Sequence, residues 1–262
     1  MCLIIFAHRI SPDYPLVVAA NRDEFHSRAT AAASYWPQQP DIFAGRDLQA
    51  GGTWMGVSRN GRFAAITNFR DPERTQPAPR SRGELATEYL LGQSDTETFL
   101  HKLDSQGSEY AGFNLLLGDG DKLWYTSNSG GKTQLLAPGI YGLSNALLDT
   151  PWPKVELGKQ KLAETIAQDN LDHDQLASVV ADRQLASREQ LSLQGLGAEM
   201  DQLLSAQYIV NPQYGTRAST TCWRDSRGNY HWRELSINGA GETTGRVEEA
   251  IVTTGESQAT GL

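Results

Sequence analysis

MCLIIFAHRISPDYPLVVAANRDEF, residues 1–25, carries two apolar runs, residues 2–8 and 16–20, separated by Ser11-Pro12-Asp13-Tyr14-Pro15. Prolines and short polar side chains punctuate the chain between the runs, so the stretch reads as an antiparallel hairpin. A turn centred on residues 12 and 13 predicts position 23 opposite position 2. Successive side chains alternate across a strand. That register therefore places Asn21 and Asp23 on the face of Cys2, and Arg22 with Glu24 on the far face.

Cys2 follows the initiator methionine directly. A small second side chain permits removal of Met1, and the mature chain then begins with a cysteine bearing both a thiol and a free α-amine. The amine, with a pKa of roughly 7.7–8.0, takes a proton near neutral pH, and the thiol, at roughly 8.5, is a nucleophile. The alternative is a small core residue opening the strand Cys2-Leu3-Ile4-Ile5-Phe6, since free cysteine packs as a compact hydrophobe. Position alone leaves both readings open.

Working outward, Asn60-Gly61 separates residues 54–58 from 63–68 and predicts a second hairpin, with Asn68 opposite Thr53 at the Gly51-Gly52-Thr53 end. Further hairpins are expected over 113–127, around Asp119-Gly120, and over 220–235, around Arg227-Gly228-Asn229. Ser81-x-x-Glu84 and Ser94-x-x-Glu97 have capping-box spacing and open predicted helices over 84–91 and 96–103. Pro153 leads a helix with Val155, Leu162 and Ile166 on one stripe, Asp172 caps another, and one more is expected near 198–206. Hairpins interspersed with helices point to antiparallel sheets covered by helices, an α+β architecture, and not to a doubly wound parallel sheet.

The chain's 262 residues suffice for one large domain, expected over 1–255, with 256–262 a frayed tail. No apolar run approaches the ~18–20 residues that span a bilayer, and no signal peptide is legible. A cytoplasmic protein with reduced thiols is expected. The net charge of −8 argues against a nucleic-acid partner. Arg70, Arg74, Arg80 and Arg82 form one basic cluster, read as a solvated loop or as a reader of an anionic ligand group. The five histidines lack zinc-ligand spacing, so no metal site is expected. Cys222 reads as an inert core thiol, and Arg46 with Asp47 as a structural pair.

The polar residues left at strand ends and turns are Cys2, Asn21-Arg22-Asp23-Glu24, Asn68, Ser144-Asn145 and Arg217. With them stand Ala44-Gly45-Arg46-Asp47, Gly51-Gly52-Thr53-Trp54, Thr67-Asn68-Phe69-Arg70-Asp71-Pro72, Gly142-Leu143-Ser144-Asn145, Pro151-Trp152-Pro153-Lys154 and Tyr214-Gly215-Thr216-Arg217. Over residues 1–225 this series resembles the NRDE family, also called the transport and Golgi organisation protein 2 family. That family is distantly similar to N-terminal-nucleophile hydrolases of the penicillin V acylase and bile salt hydrolase type.

The resemblance implies a four-layer sandwich of two antiparallel sheets between helix layers. It implies a site of Cys2, Arg22, Asp23, Asn68, Asn145 and Arg217, with Asn21, Thr53, Trp54 and Trp152 around the ligand. Asp23 would orient the Cys2 amine, Arg22 or Arg217 would favour the thiolate, and Asn68 with Asn145 would donate to an oxyanion. Hydrolysis of an amide or thioester of a small acyl ligand would need no cofactor. The family has also been linked to haem trafficking and to acyl-CoA or lipid handling, which implies the alternative of a binding protein. Without a Cys-x-x-Cys-His motif, haem would be a non-covalent ligand, with Cys2 or a histidine as candidate axial group. An interaction scaffold is the weakest reading, because a polar set rebuilt from six separated segments is poorly explained by it.

Overall fold

In the computed structural model, residues 2–70, 78–168, 170–193, 196 and 199–254 are described. The strands run β1 Cys2–His8, β2 Leu16–Phe25, β3 Thr30–Trp36, β4 Gln39–Asp47, β5 Met55–Ser58, β6 Phe63–Asn68, β7 Phe113–Asp119, β8 Lys122–Ser127, β9 Gln134–Leu135, β10 Gly139–Leu143, β11 Tyr214–Arg224, β12 Tyr230–Ile237 and β13 Thr243–Ile251. The helices are α1 Gly83–Leu91, α2 Thr96–Gln106, α3 Pro153–Ile166, α4 His173–Ser178, α5 Arg188–Ser192 and α6 Glu199–Leu203. One sheet has the order β10-β1-β2-β11-β12-β13 and the other β3-β4-β5-β6-β7-β8-β9, and every pairing within them is antiparallel.

Three apolar clusters stack these elements into four layers. Ile4, Phe6 and Val18 of the first sheet meet Phe43, Val57 and Leu116 of the second between the sheets. Leu85, Tyr89, Leu100 and Leu103 of α1 and α2 cover the outer face of the second sheet. Val155, Leu162 and Leu176 of α3 and α4 cover Leu3, Ile5, Val17 and Ala19 on the outer face of the first. The expected αββα sandwich is the observed one.

Both predicted N-terminal registers are off by one residue, and for a common reason. In the first hairpin Cys2 pairs with Arg22 and His8 with Leu16. Arg9 adopts a left-handed φ of 51° and donates to the Pro15 carbonyl at 2.8 Å. The loop thus holds an odd number of residues and centres on Pro12. In the second, Met55 pairs with Ala65. Gly61, at φ 88°, closes a three-residue loop of the type that carries a bulge, with Ser58 N–H donating to the Arg62 carbonyl at 2.9 Å. An even, two-residue turn is the wrong expectation there.

Strands β3, β4, β9 and β10, the edge strand β13 and helix α5 lie where no element is predicted. Polar alternation in β13 (Thr243–Ile251) hides a strand whose side chains are mostly solvated. Asp172 caps α4 in a capping box with Gln175, as expected in part. The cap of α2 is Asp95, which accepts from Thr98 N–H, and not Ser94. The predicted tail, 256–262, lies outside the described residues.

Candidate functional site

The one-residue register difference decides what Cys2 faces. Cross-strand partners share a face, so Arg22 lies beside Cys2 on the side between the sheets, and Asn21 and Asp23 turn to the helix-covered side. The predicted assignment of faces is therefore reversed. Arg22 is 6% exposed, its guanidinium carbon sits 4.5 Å above the Trp54 ring, and its Nη2 is 3.9 Å from Glu24. Its Nη1 is buried without a hydrogen-bond partner.

Cys2 and Arg22 line a cleft of about 580 Å3 together with Asp23, Glu24, Thr53, Trp54 and Asn68. Arg28, Arg80 and Arg82 line it too. Local chemistry explains how the segment 51–54 and helix α1 form one wall. Gly51 sits at φ 82°, a conformation that favours glycine. At Gly52 a Cβ would lie 2.4 Å from the Gly83 carbonyl carbon, so only glycine lets the two backbones meet. Thr53 N–H then donates to the Gly83 carbonyl at 3.2 Å, and the Thr53 hydroxyl donates to the Met55 carbonyl at 3.0 Å. This docks the start of α1, and with it Arg82, at the cleft.

The remaining expected residues separate into neighbours and supports. Asn68 lines the cleft. Asn145, 1% exposed, does not; its Nδ2 donates to the Asn68 carbonyl at 2.8 Å and so fixes Asn68 in place. Ser144 donates to the Cys2 carbonyl at 2.9 Å. Arg217 stands at a bulge in β11, where the pairing with β2 shifts between Thr216 and Ala218. Its Nη1 donates to the carbonyls of Phe25 and Arg28, so it clamps the 25–30 loop and does not line the cleft. Asn21 donates to the carbonyls of Val180 at 2.7 Å and Gln207 at 2.8 Å, beneath the sheet. Trp152 borders a separate small groove with Pro153, Lys154 and Leu204. Asn21, Asn145, Arg217 and Trp152 thus lie away from the cleft that the resemblance assigns them to. Arg46 and Asp47 do not pair: Asp47 binds Arg28 at 2.7 Å, and Arg46 lies 4.5 Å over Trp36.

Burial dominates the electrostatics. It pushes the Cys2 thiol above its ordinary value, opposed by the positive charge of the chain's amino terminus and Arg22 and by a hydrogen bond from the Asp23 backbone, and reinforced by the Asp23 carboxylate. Burial therefore favours the thiol over the thiolate that the resemblance implies. Burial also raises the Asp23 carboxyl, against the amino-terminal charge, Lys154 and the 2.7 Å hydrogen bond from Thr216. Burial lowers Arg82, whose charge is supported by Cys2 and Glu24. Cys222 is fully buried and raised by desolvation, in line with an inert core thiol. Among the described residues no cluster of three or more His, Cys, Asp or Glu side chains fits a metal ion, and no helix is long and apolar enough to cross a membrane.

Sequence reading missed Arg28 as part of the cleft, and named Arg80 and Arg82 only as members of a basic cluster. The basic cluster around 70–82 carried a signal for Arg82; Arg74 of that cluster lies outside the described residues. Arg28 had none, because only the loop after β2 brings it back.

Two antiparallel sheets between helix layers define a fold of the N-terminal-nucleophile hydrolase type. A solved variant of the conjugated bile acid hydrolase from Clostridium perfringens shares it, with a TM-score of 0.53 over 97% of this chain and 98% of that one, at 9% sequence identity. The chain belongs to the Transport and Golgi organisation 2 family, whose model matches residues 1–239. It is 37% identical over 258 residues to the human Transport and Golgi organization protein 2 homolog, covering 90% of this chain and 93% of that protein. The Bos taurus homolog is 36% identical over 264 residues, covering 93% and 95%.

Proposed function

We propose that the protein is an N-terminal-cysteine hydrolase that cleaves an amide or thioester of a small acyl ligand. The observation that carries this reading is Cys2, at the wall of the arginine-lined cleft, with Arg22 directly across the ladder. Removal of Met1 frees the α-amine, which takes the proton of the raised thiol. The thiolate adds to the carbonyl carbon, with the Asn68 amide as oxyanion donor. The C–N or C–S bond breaks as the ammonium returns its proton to the leaving group, and water then releases the acyl group from Cys2. Trp54 supplies an apolar wall, and Arg82 with Arg22 suits a ligand that also carries negative charge. Cys2 and Cys222 both stand as free thiols, which supports a reducing, cytoplasmic setting. Intact-mass analysis checks that Met1 is absent, and a panel of acyl amides and thioesters checks turnover. A retained Met1, or undiminished turnover by Cys2→Ala, sinks the reading.

A second reading rests on the same cleft. Cys2 ligates iron through sulfur, and the arginines on the rim match the carboxylates of haem, so the cleft would carry haem as exchangeable cargo. Titration with haemin separates the two: a saturable Soret shift lost in Cys2→Ala favours cargo, and a shift unaffected by that change argues against ligation by Cys2.

A further inference from the structure

Strand β13, Thr243–Ile251, is an edge of the first sheet: it pairs with β12 on one side and with no strand on the other. Among the described residues, no backbone hydrogen bond beyond the β12 ladder reaches it. A bare edge offers its outward N–H and C=O groups to another strand, and proteins commonly blunt it with proline or a bulge. β13 holds no proline, and its one register irregularity lies at its start, between Thr243 and Gly245.

Side chains alternate across the strand. Val247 packs against the core between the sheets, which leaves Arg246, Glu248 and Ala250 exposed on the outer face. Arg246 is 57% and Glu248 48% exposed, and Arg246 Nε donates to Glu248 at 3.0 Å. Glu248 stands opposite Arg233 in the ladder with β12, and Arg233 Nη1 donates to Asp174 of α4 at 2.6 Å. From α4 outward the row therefore reads Asp174, Arg233, Glu248, alternating in sign, and it stops at the open edge.

This order of charges selects one way for the strand to meet a copy of itself. An antiparallel copy docked on the open edge, with a two-fold axis at Val247, sets each Glu248 opposite the other copy's Arg246. The alternation then continues across the junction. An axis at Arg246 opposes two arginines, an axis at Glu248 opposes two glutamates, and like charges directly opposite repel. An axis between residues would oppose side chains from different faces, which an antiparallel ladder does not permit. The axis at Val247 also pairs Thr244 with Ala250, neither of them bulky.

We propose that the protein self-associates through β13, two six-stranded sheets joining about Val247 into one continuous sheet with reciprocal Arg246–Glu248 pairs on its outer face. Such an isologous junction closes on itself. β2, β11 and β12 separate it from β1, which carries Cys2, so the proposal holds whether the cleft hydrolyses or only binds. A junction of one strand pair is small, and the dimer is accordingly weak and concentration-dependent.

Analytical ultracentrifugation of the full chain over a range of concentrations at low salt tests this. The wild type should show a monomer–dimer equilibrium. Arg246→Glu and Glu248→Arg should each weaken it by about tenfold or more, since each turns two attractive pairs into like-charge pairs. The double variant Arg246→Glu/Glu248→Arg recovers opposite signs across the junction and should bring Kd back to within about threefold of the wild type. Circular dichroism checks that each variant is folded, as expected for exposed charges. A wild type that stays monomeric at every concentration overturns the proposal. So does a dimer indifferent to the single reversals, or one that the double variant fails to restore.

Discussion

The two faces of the β1–β2 hairpin, at the end where Cys2 lies, treat charge in opposite ways. On the face between the sheets, Arg22 keeps a buried Nη1 without a partner and stacks on Trp54 beside an open cleft. On the helix-covered face, Asn21 donates to two carbonyls, Asp23 accepts from Thr216 and Lys154 caps the Leu204 carbonyl. Buried polar groups are costly to leave unpaired. A donor left over at a cleft wall is thus available to a ligand, whereas the Asn21 amide donor, spent on two carbonyls, fixes geometry. One face of the hairpin is built to meet something, and the other to hold Asp23 still.

The sharpest way to break this comparison is to remove the thiol from the open face. Cys2→Ala should abolish hydrolysis of any responsive acyl substrate, a loss of at least about a thousandfold, since the covalent step disappears. Circular dichroism and thermal unfolding should be little changed, because the side chain is small and at the strand end.

A buried carboxyl behind Arg22 tests how the inner face carries charge. Glu234 is 2% exposed and accepts from Ala33 N–H at 2.8 Å; burial pushes its pKa up to about 7 from an ordinary 4.5. The folded value lies above the unfolded one, so its contribution to stability is full below pH 4.5 and is lost as pH rises through about 7. The loss is on the order of 3 kcal/mol. Glu234→Gln should flatten wild-type stability loss between pH 5 and 8, as measured by urea unfolding. A parallel decline in both proteins would exclude Glu234 as the source.

The helix-covered face should respond through stability. Asn21→Ala leaves the Val180 and Gln207 carbonyls without their donor and should cost about 2–3 kcal/mol. Chemical unfolding measures it, and a change below 0.5 kcal/mol would mean the network is slack. Arg82→Met is the smallest perturbation. Its Nη1 binds only the Gly112 carbonyl at 3.1 Å among the described partners. The substitution should weaken binding of an anionic ligand by about five- to tenfold, equivalent to about 1 kcal/mol, and barely move the unfolding midpoint. Equal weakening for a neutral ligand of the same shape would show that Arg82 contributes packing and not charge.

Much of this arrangement was legible in the chain. Pro153 and Asp172 mark the starts of α3 and α4 because their local chemistry is independent of context. Gly51-Gly52-Thr53 was read only as the end of a hairpin, and its close approach to the start of α1 is a matter of packing. Asn68 and Asn145 were both expected as oxyanion donors, and only packing showed that one lines the cleft and the other props it. Arg217 and Trp152 carry types suited to a site, but a bulge and a helix start direct them elsewhere. Lys154 looked like one more charged helix residue; nothing local tells that sheet and helix close over it.

The sequence by itself determined that residues 2–25 form a hairpin, that antiparallel sheets and helices share the chain, and that Cys2 stands where a nucleophile can. Tertiary structure alone decided which side chains face that cysteine. The reason is the period of two along a strand: one residue in a loop exchanges the faces. Hydrophobic pattern usually settles such a choice, but here Leu3, Ile5, Val17 and Ala19 lie under helices, and Ile4, Phe6, Val18 and Ala20 lie between sheets. With both faces apolar, the pattern favours neither register. The left-handed turn at Arg9 and the packing of two whole layers select the one that sets Arg22 beside Cys2.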